Sequence, residues 1–129
     1  MSFSAEFISN KNLENYCCIC STKELADYEY FTLFQVSEKG TEAIFIREKT
    51  KIIGELIFKI NKEAIQILLL CSKNSKKGVG TFAIKTLESY AKIKGIKIIS
   101  LISEESAIGF YKKLNYTQVS ENNFIKEIN

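Results

Sequence analysis

The sequence predicts an α/β domain in which helices cover a mixed sheet, and three observations carry that expectation. From Glu42 onward, short apolar runs rich in β-branched residues alternate with polar pairs, the pattern of strands and tight turns. Ile67, Leu68, Leu69 and Leu70 follow one another without a polar break, as in a strand buried on both faces at the middle of a sheet. A Gly-Val-Gly turn then opens a stretch of helical periodicity, and another apolar run follows at 96–102. Strand, helix and strand in that order predict two parallel neighbours joined by a crossover.

In chain order, residues 5–8 read as a short strand. Residues 12–36 carry Leu13, Tyr16, Cys17 and Cys20 at spacings of three and four, which predicts one or two amphipathic helices. Residues 43–47 form a strand, 48–50 a tight turn, 51–60 a second strand and 61–62 another turn before the central strand at 64–71. The helix after the glycines runs to Lys94 with Ala83, Leu87, Tyr90 and Ala91 on one face, and Gly95 stops it. A strand at 96–102 and a short helix at 104–114 follow, with Asn115 suited to a left-handed cap. Residues 116–119 and 124–128 close the chain as a hairpin around Asn122 and Asn123.

A chain of 129 residues with 46% apolar content is long and apolar enough for one core, so residues 1–129 are read as a single domain. No run approaches the roughly 18 apolar residues of a membrane span, and the N-terminal residues lack the basic start and apolar stretch of a secretory leader. The expectation is a soluble cytoplasmic protein with no membrane partner. The net charge of +3 is carried by scattered lysines and one arginine, Arg47, which argues against a nucleic-acid partner. Cys17, Cys18 and Cys20 are too close to pair with one another, which points to a reducing compartment. Their C-C-x-C spacing and the absence of histidine predict no metal site. Without histidine there is no Ser-His-Asp triad and no Cys-His dyad, so catalysis falls to carboxylates, Tyr, Lys, Cys or main-chain dipoles.

The chemistry concentrates in LLLCSKNSKKGVG, which starts at Leu68 and ends at Gly80. Two glycines one residue apart allow a sharp turn and let a ligand reach main-chain N–H groups that no side chain shields. The first helical turn beyond them presents partial positive charge to a phosphate or diphosphate, and Lys76 and Lys77 add to that field. A Walker loop fails, because its two required glycines would fall on Val79 and Ile84. A dinucleotide fingerprint matches Gly78, Gly80 and Ala83, yet it ordinarily opens several further βα units, and only 49 residues follow Gly80.

The same segment resembles motif A of the GNAT superfamily of N-acetyltransferases: an apolar strand end, then Arg/Gln-x-x-Gly-x-Gly/Ala opening a helix. Gly78 and Gly80 take the two small positions, Leu68 and Leu70 the strand positions beside the cofactor's pantetheine arm, and Ser75 stands where Arg or Gln is usual. AIGFYKKLNY, from Ala107 to Tyr116, resembles motif B, A-x-x-F-Y-x-K-x-G-F. There Ala107, Phe110, Tyr111 and Lys113 match, while Asn115 and Tyr116 replace the glycine and the final phenylalanine. Upstream, AIFIREKTKIIGELIF resembles the two strands before motif A, with Gly54 at a frequent glycine of the family.

This resemblance implies a GNAT-like central mixed sheet of about six or seven strands flanked by about four helices. It implies acetyl-CoA as cosubstrate, no metal, and an amine acceptor that attacks the thioester directly in a ternary complex. Leu68, Leu69, Leu70, Ser75, Lys76, Lys77, Gly78, Val79, Gly80, Thr81 and Tyr111 are the implied cofactor-binding residues. An oxyanion would meet main-chain N–H groups around Leu69 and Leu70. Tyr111, a phenol of ordinary pKa near about 10, is the implied acid for a leaving thiolate of about 8.5. Phe110 and Tyr111 read by composition alone as two core aromatics. The central strand carries Gln66 and no acid, so Glu55 is the candidate base, alongside its reading as an exposed strand carboxylate. A binding module that keeps the coenzyme A cradle and senses acyl-CoA without turnover is the alternative function.

Overall fold

The computed structural model describes residues 2–9, 40–73 and 77–129. The strands are β1 (Phe3–Ile8), β2 (Thr41–Glu48), β3 (Lys51–Asn61), β4 (Ala64–Ser72), β5 (Ile98–Ile102), β6 (Thr117–Ser120) and β7 (Asn123–Glu127). The helices among the described residues are α1 (Val79–Lys94) and α2 (Ile108–Lys113), the latter entered through a 3₁₀ turn at Glu105–Ala107. The helices expected within 12–36, and Cys17, Cys18 and Cys20 with them, lie outside the described residues, as do Ser75 and Lys76.

The seven strands form one sheet in the order β1-β2-β3-β4-β5-β7-β6. Neighbours are antiparallel except β4 and β5, the parallel pair that the strand-helix-strand reading predicts. The fold is thus α/β with a mixed sheet, and β4 stands at its centre. The turns before β4 carry positive φ at Lys49 (59°) and Lys62 (56°).

α1 forms because Val79, Ala83, Ile84, Leu87 and Ala91 make an apolar stripe while Lys85, Ser89 and Lys92 face water. The stripe packs on Ile44, Ile46, Leu56, Phe58, Ile65, Ile67 and Ile99 of the sheet, which makes the main core. Gly95 ends it with φ 73° and donates its N–H to the Lys92 carbonyl. β1 is drawn onto the same helix by the Phe3–Phe82 and Phe7–Tyr90 ring contacts, at 5.6 and 5.1 Å between centroids. The opposite face carries a smaller cluster of Ala43 and Ile57 with Ile8, Phe45, Leu68 and Leu69 around them.

Three expectations shift. β4 is not buried on both faces along its whole apolar run: Ile65 and Ile67 are buried, Gln66 is exposed, and residues 68–72 are half-buried. β5 begins at Ile98, because the Ile96 and Lys97 amides turn back to the Ala91 and Glu63 carbonyls. The final hairpin turns at Glu121 and Asn122, leaving Asn123 inside β7.

Candidate active site where β4 and β5 part

The half-burial of β4 has a topological cause. Its ladder to β5 runs from Ala64↔Ile98 to Ile67↔Leu101 and stops, whereas its ladder to β3 continues to Gly54↔Ser72. Among the described residues, the β5 side of Leu68, Leu69 and Leu70 beyond Ile67 is therefore a strand edge in the middle of a sheet. Main-chain groups on such an edge look for a partner from outside the sheet. Leu69 and Leu70, where the resemblance implies an oxyanion contact, lie beyond the end of the ladder to β5.

The chain leaves that edge for α1 through Gly78, which is the N-cap with φ 88° and ψ −12°. Only glycine holds that left-handed geometry at no steric cost. Among the described residues no side chain caps α1, and its first turn has no acid. The Gly78 carbonyl accepts the Phe82 N–H at 3.0 Å, so the helix starts cleanly above a first turn left to the main chain. Lys77 is exposed beside it. Among the described residues, the positive end of α1 is thus met by no side-chain cap and no first-turn acid, an arrangement that suits a phosphate.

Two close approaches hold this turn against the sheet. Val79 is fully buried, and its Cγ1 lies 2.3 Å from where a Cβ on Gly54 would stand, so β3 admits the helix only because residue 54 has no side chain. Phe110 lies over Gly80 in the same manner, with its Cζ 3.1 Å from a Cβ built there and Leu70 Cδ2 at 3.9 Å. α2 thereby meets the first turn of α1 and the free end of β4 at one point. Neither contact was legible in the glycine spacing, although both glycines were singled out.

Tyr111 follows Phe110 on α2 and is 6% exposed. Its ring contacts Phe110 at 5.0 Å, Tyr116 at 5.9 Å and Phe124 at 6.1 Å. Phe124 pairs with Leu101, the residue at which the β4–β5 ladder ends. Burial, and then the Glu104 carboxylate, push its phenol up to about 12, so the ordinary pKa expected from sequence does not hold. The packing that the composition favoured is also present, since Tyr111 belongs to the main core.

Glu55 corrects another expectation. It is fully buried rather than exposed, on the rung Phe45–Glu55–Cys71. Alternation along β3 puts it with Ile57 on the face away from α1. Cys71 Sγ lies 3.6 Å from its Oε1. Cys71 is disulfide-bonded, so its sulfur has no proton to give and is no nucleophile. The spacing argument for reduced cysteines covered only the N-terminal cluster and did not reach Cys71.

On that same face, where β5 ends, a hollow of about 320 Å³ is lined by Gln66, Ser100, Ile102, Val119, Asn123 and Ile125 among others. Ile102 and Val119 stand open at 70% and 54% exposure. Among the described residues no group of His, Cys, Asp or Glu converges as metal ligands would, and no helix is long and apolar enough to cross a membrane.

Leu68, Leu69, Leu70, Lys77, Gly78, Val79, Gly80 and Thr81 thus line one strand end and one helix start, with Tyr111 on the helix packed beside them. Among solved structures, the chain is similar to GCN5 from Tetrahymena, with TM-score 0.78, 16% identity, and coverage of 98% of this chain and 96% of that one. It is similar to the PaiA N-acetyltransferase of Thermoplasma acidophilum in complex with coenzyme A, at TM-score 0.70 and 20% identity over 98% of both chains. It is also similar to the ribosomal-protein-S18-alanine N-acetyltransferase of Escherichia coli, at TM-score 0.72 and 12% identity over 98% of this chain and 94% of that one. Among curated proteins, none matches the chain by sequence. The acetyltransferase (GNAT) family model matches residues 9–116, which takes in the glycine turn, the strand edge and α2 together, and the chain belongs to that family.

Proposed function

We propose that this protein transfers the acetyl group of acetyl-CoA to a primary amine by direct attack in a ternary complex. The observation that carries the reading is the start of α1, uncapped and acid-free among the described residues, set against the stretch of β4 that β5 leaves. The residues fit the cosubstrate. Main-chain N–H groups of Val79, Gly80 and Thr81 suit the diphosphate, with Lys77 beside them. The β5-side edge of Leu68, Leu69 and Leu70 suits a pantetheine arm, which is itself a chain of amides and pairs as a strand does.

In this reading the Leu69–Leu70 main chain donates to the oxyanion as the amine attacks, and Glu55 takes the amine's proton. Tyr111 holds its proton at every physiological pH and donates a hydrogen bond to the departing thiolate. Handing that proton over fully is uphill by about 5 kcal/mol for a phenol near 12 against a thiol near 8.5. The bound donor therefore stabilises the sulfur in the transition state, and complete transfer waits on product release. The amine enters from the hollow beside β5, on the face opposite α1.

The alternative reading, an acyl-CoA sensor without turnover, draws on the burial of Tyr111 in the core and on Ser75 in place of the usual Arg or Gln. Thiol release from acetyl-CoA over an amine panel separates the two. The Tyr111→Phe variant is expected to keep coenzyme A affinity by calorimetry and lose about 10²-fold or more in kcat, the usual weight of a positioned acid. The wild-type kcat profile is expected to show no alkaline fall from this phenol below its value of about 12. Turnover unaffected by the substitution removes Tyr111 from the chemistry.

A further inference from the structure

On the half of α1 away from the glycine turn, one carboxylate oxygen collects two donors from distant parts of the chain. Tyr116 Oη donates to Glu88 Oε2 at 2.9 Å, and Lys126 Nζ donates to the same oxygen at 3.0 Å. Lys126 Nζ also donates to the Leu114 carbonyl at 2.9 Å and stands 5.4 Å from the centre of the Tyr116 ring. The Lys126 and Glu88 side chains are only 25% and 19% exposed, so water and salt screen the pair in part. Tyr116 itself is 3% exposed, and its phenol is pushed far up by burial and by the Glu88 carboxylate. Three elements are tied here: α1 by Glu88, the end of α2 by Leu114, and β7 by Lys126.

The cluster reaches Tyr111 through two main-chain bonds. The Leu114 and Tyr116 amides both donate to the Tyr111 carbonyl at 3.1 Å, and Asn115 between them takes φ 70° to make that possible. α2 is six residues long, too short to hold its own geometry. Its entrance is fixed by Phe110 on Gly80, and its exit by the Glu88–Lys126–Tyr116 cluster. A phenylalanine at 116 would need neither partner; the hydroxyl of this chain's tyrosine has to be satisfied where it is buried.

We propose that Glu88 and Lys126 are positioning residues for Tyr111, fixing the exit of α2 so that the phenol keeps its place beside the strand edge. The proposal rests on the acetyl-transfer reading for its kinetic consequence, but its structural content stands apart from that reading.

The test compares Lys126→Met, Glu88→Gln, Tyr116→Phe and Lys126→Arg with wild type. Three quantities are measured: coenzyme A affinity by calorimetry, kcat and KM for acetyl-CoA, and amide exchange at Leu114 and Tyr116 against Ala83 and Leu87. For Lys126→Met, kcat is expected to fall about tenfold, within the up to about 10²-fold that an ångström of misplacement costs. Affinity for coenzyme A is expected to stay within about twofold, and exchange at Leu114 and Tyr116 to rise about tenfold while α1 is unchanged. Glu88→Gln and Tyr116→Phe are milder in the same direction and serve if Lys126→Met does not fold. Lys126→Arg is expected to restore more than about half of kcat, because a guanidinium spans the same two acceptors. Unchanged kcat and exchange in Lys126→Met overturn the proposal. So does a fall in kcat matched by an equal loss of coenzyme A affinity, which would mean general loosening. If wild type binds coenzyme A but acetylates nothing, the transferase reading fails, and the exchange measurement still decides whether the cluster holds α2.

Discussion

At its C-terminus α1 closes on its own chain: Gly95 turns left-handed, the Gly95 and Ile96 amides return to the Lys92 and Ala91 carbonyls, and Lys92 and Lys94 sit on the negative helix end. At its N-terminus a glycine of nearly the same conformation, Gly78, does the opposite. There, among the described residues, no side chain caps the helix and its first turn carries no acid. One helix thus shows both uses of a left-handed glycine, to satisfy main-chain groups and to leave them presented. The helix that is sealed at Gly95 is, seventeen residues earlier at Gly78, left open among the described residues.

The strongest way to break this contrast is to move the N-terminal end bodily. Gly54→Val places atoms where Val79 Cγ1 already lies, so α1 must retreat from β3. A loss of about 1–3 kcal/mol in denaturant unfolding is expected, with coenzyme A affinity falling by more than about tenfold in calorimetry. The contrast is sharpened by sealing the open end in place: Thr81→Glu puts an acid in the first turn. It is expected to raise stability by about 0.3–1 kcal/mol while weakening coenzyme A binding about tenfold, two changes of opposite sign in one variant. The smallest effect belongs to the closed end. Nothing lies within 4 Å of a Cβ built on Gly95, so Gly95→Ala pays only for its φ of 73°. About 1 kcal/mol of stability is expected to go, with no change in coenzyme A affinity; a change there would mean the two ends are not independent.

Features decided within a few residues were legible in the sequence. The strand order up to β5, the turn at Lys62, the stop at Gly95 and the left-handed Asn115 all follow from local periodicity or from residues that tolerate positive φ. The glycine turn was legible too, because a left-handed N-cap shows in the sequence as a missing side chain. What lay beyond reach is set by distant partners. The apolar run in β4 could not tell that β5 stops beside Ile67, so its half-buried end read as fully buried. Glu55 read as exposed because nothing local announces that β2 and β4 both flank it. The raised phenol of Tyr111 depends on what surrounds α2, and the Lys126–Glu88 pair spans 38 residues with no periodic signature. Ser75 and Lys76, two of the cofactor residues expected from the resemblance, lie outside the described residues.

The contact between Gly54 and Val79 makes two sequence positions share a single volume. A larger residue at 54 is admitted only if 79 shrinks, so the two should vary as a pair rather than singly. Because Val79 lies between the two glycines of the turn, that shared volume also presets the direction of the neighbouring amides before any anion arrives. The turn is thereby ordered during folding, so an anion bound there as proposed would be spared that cost.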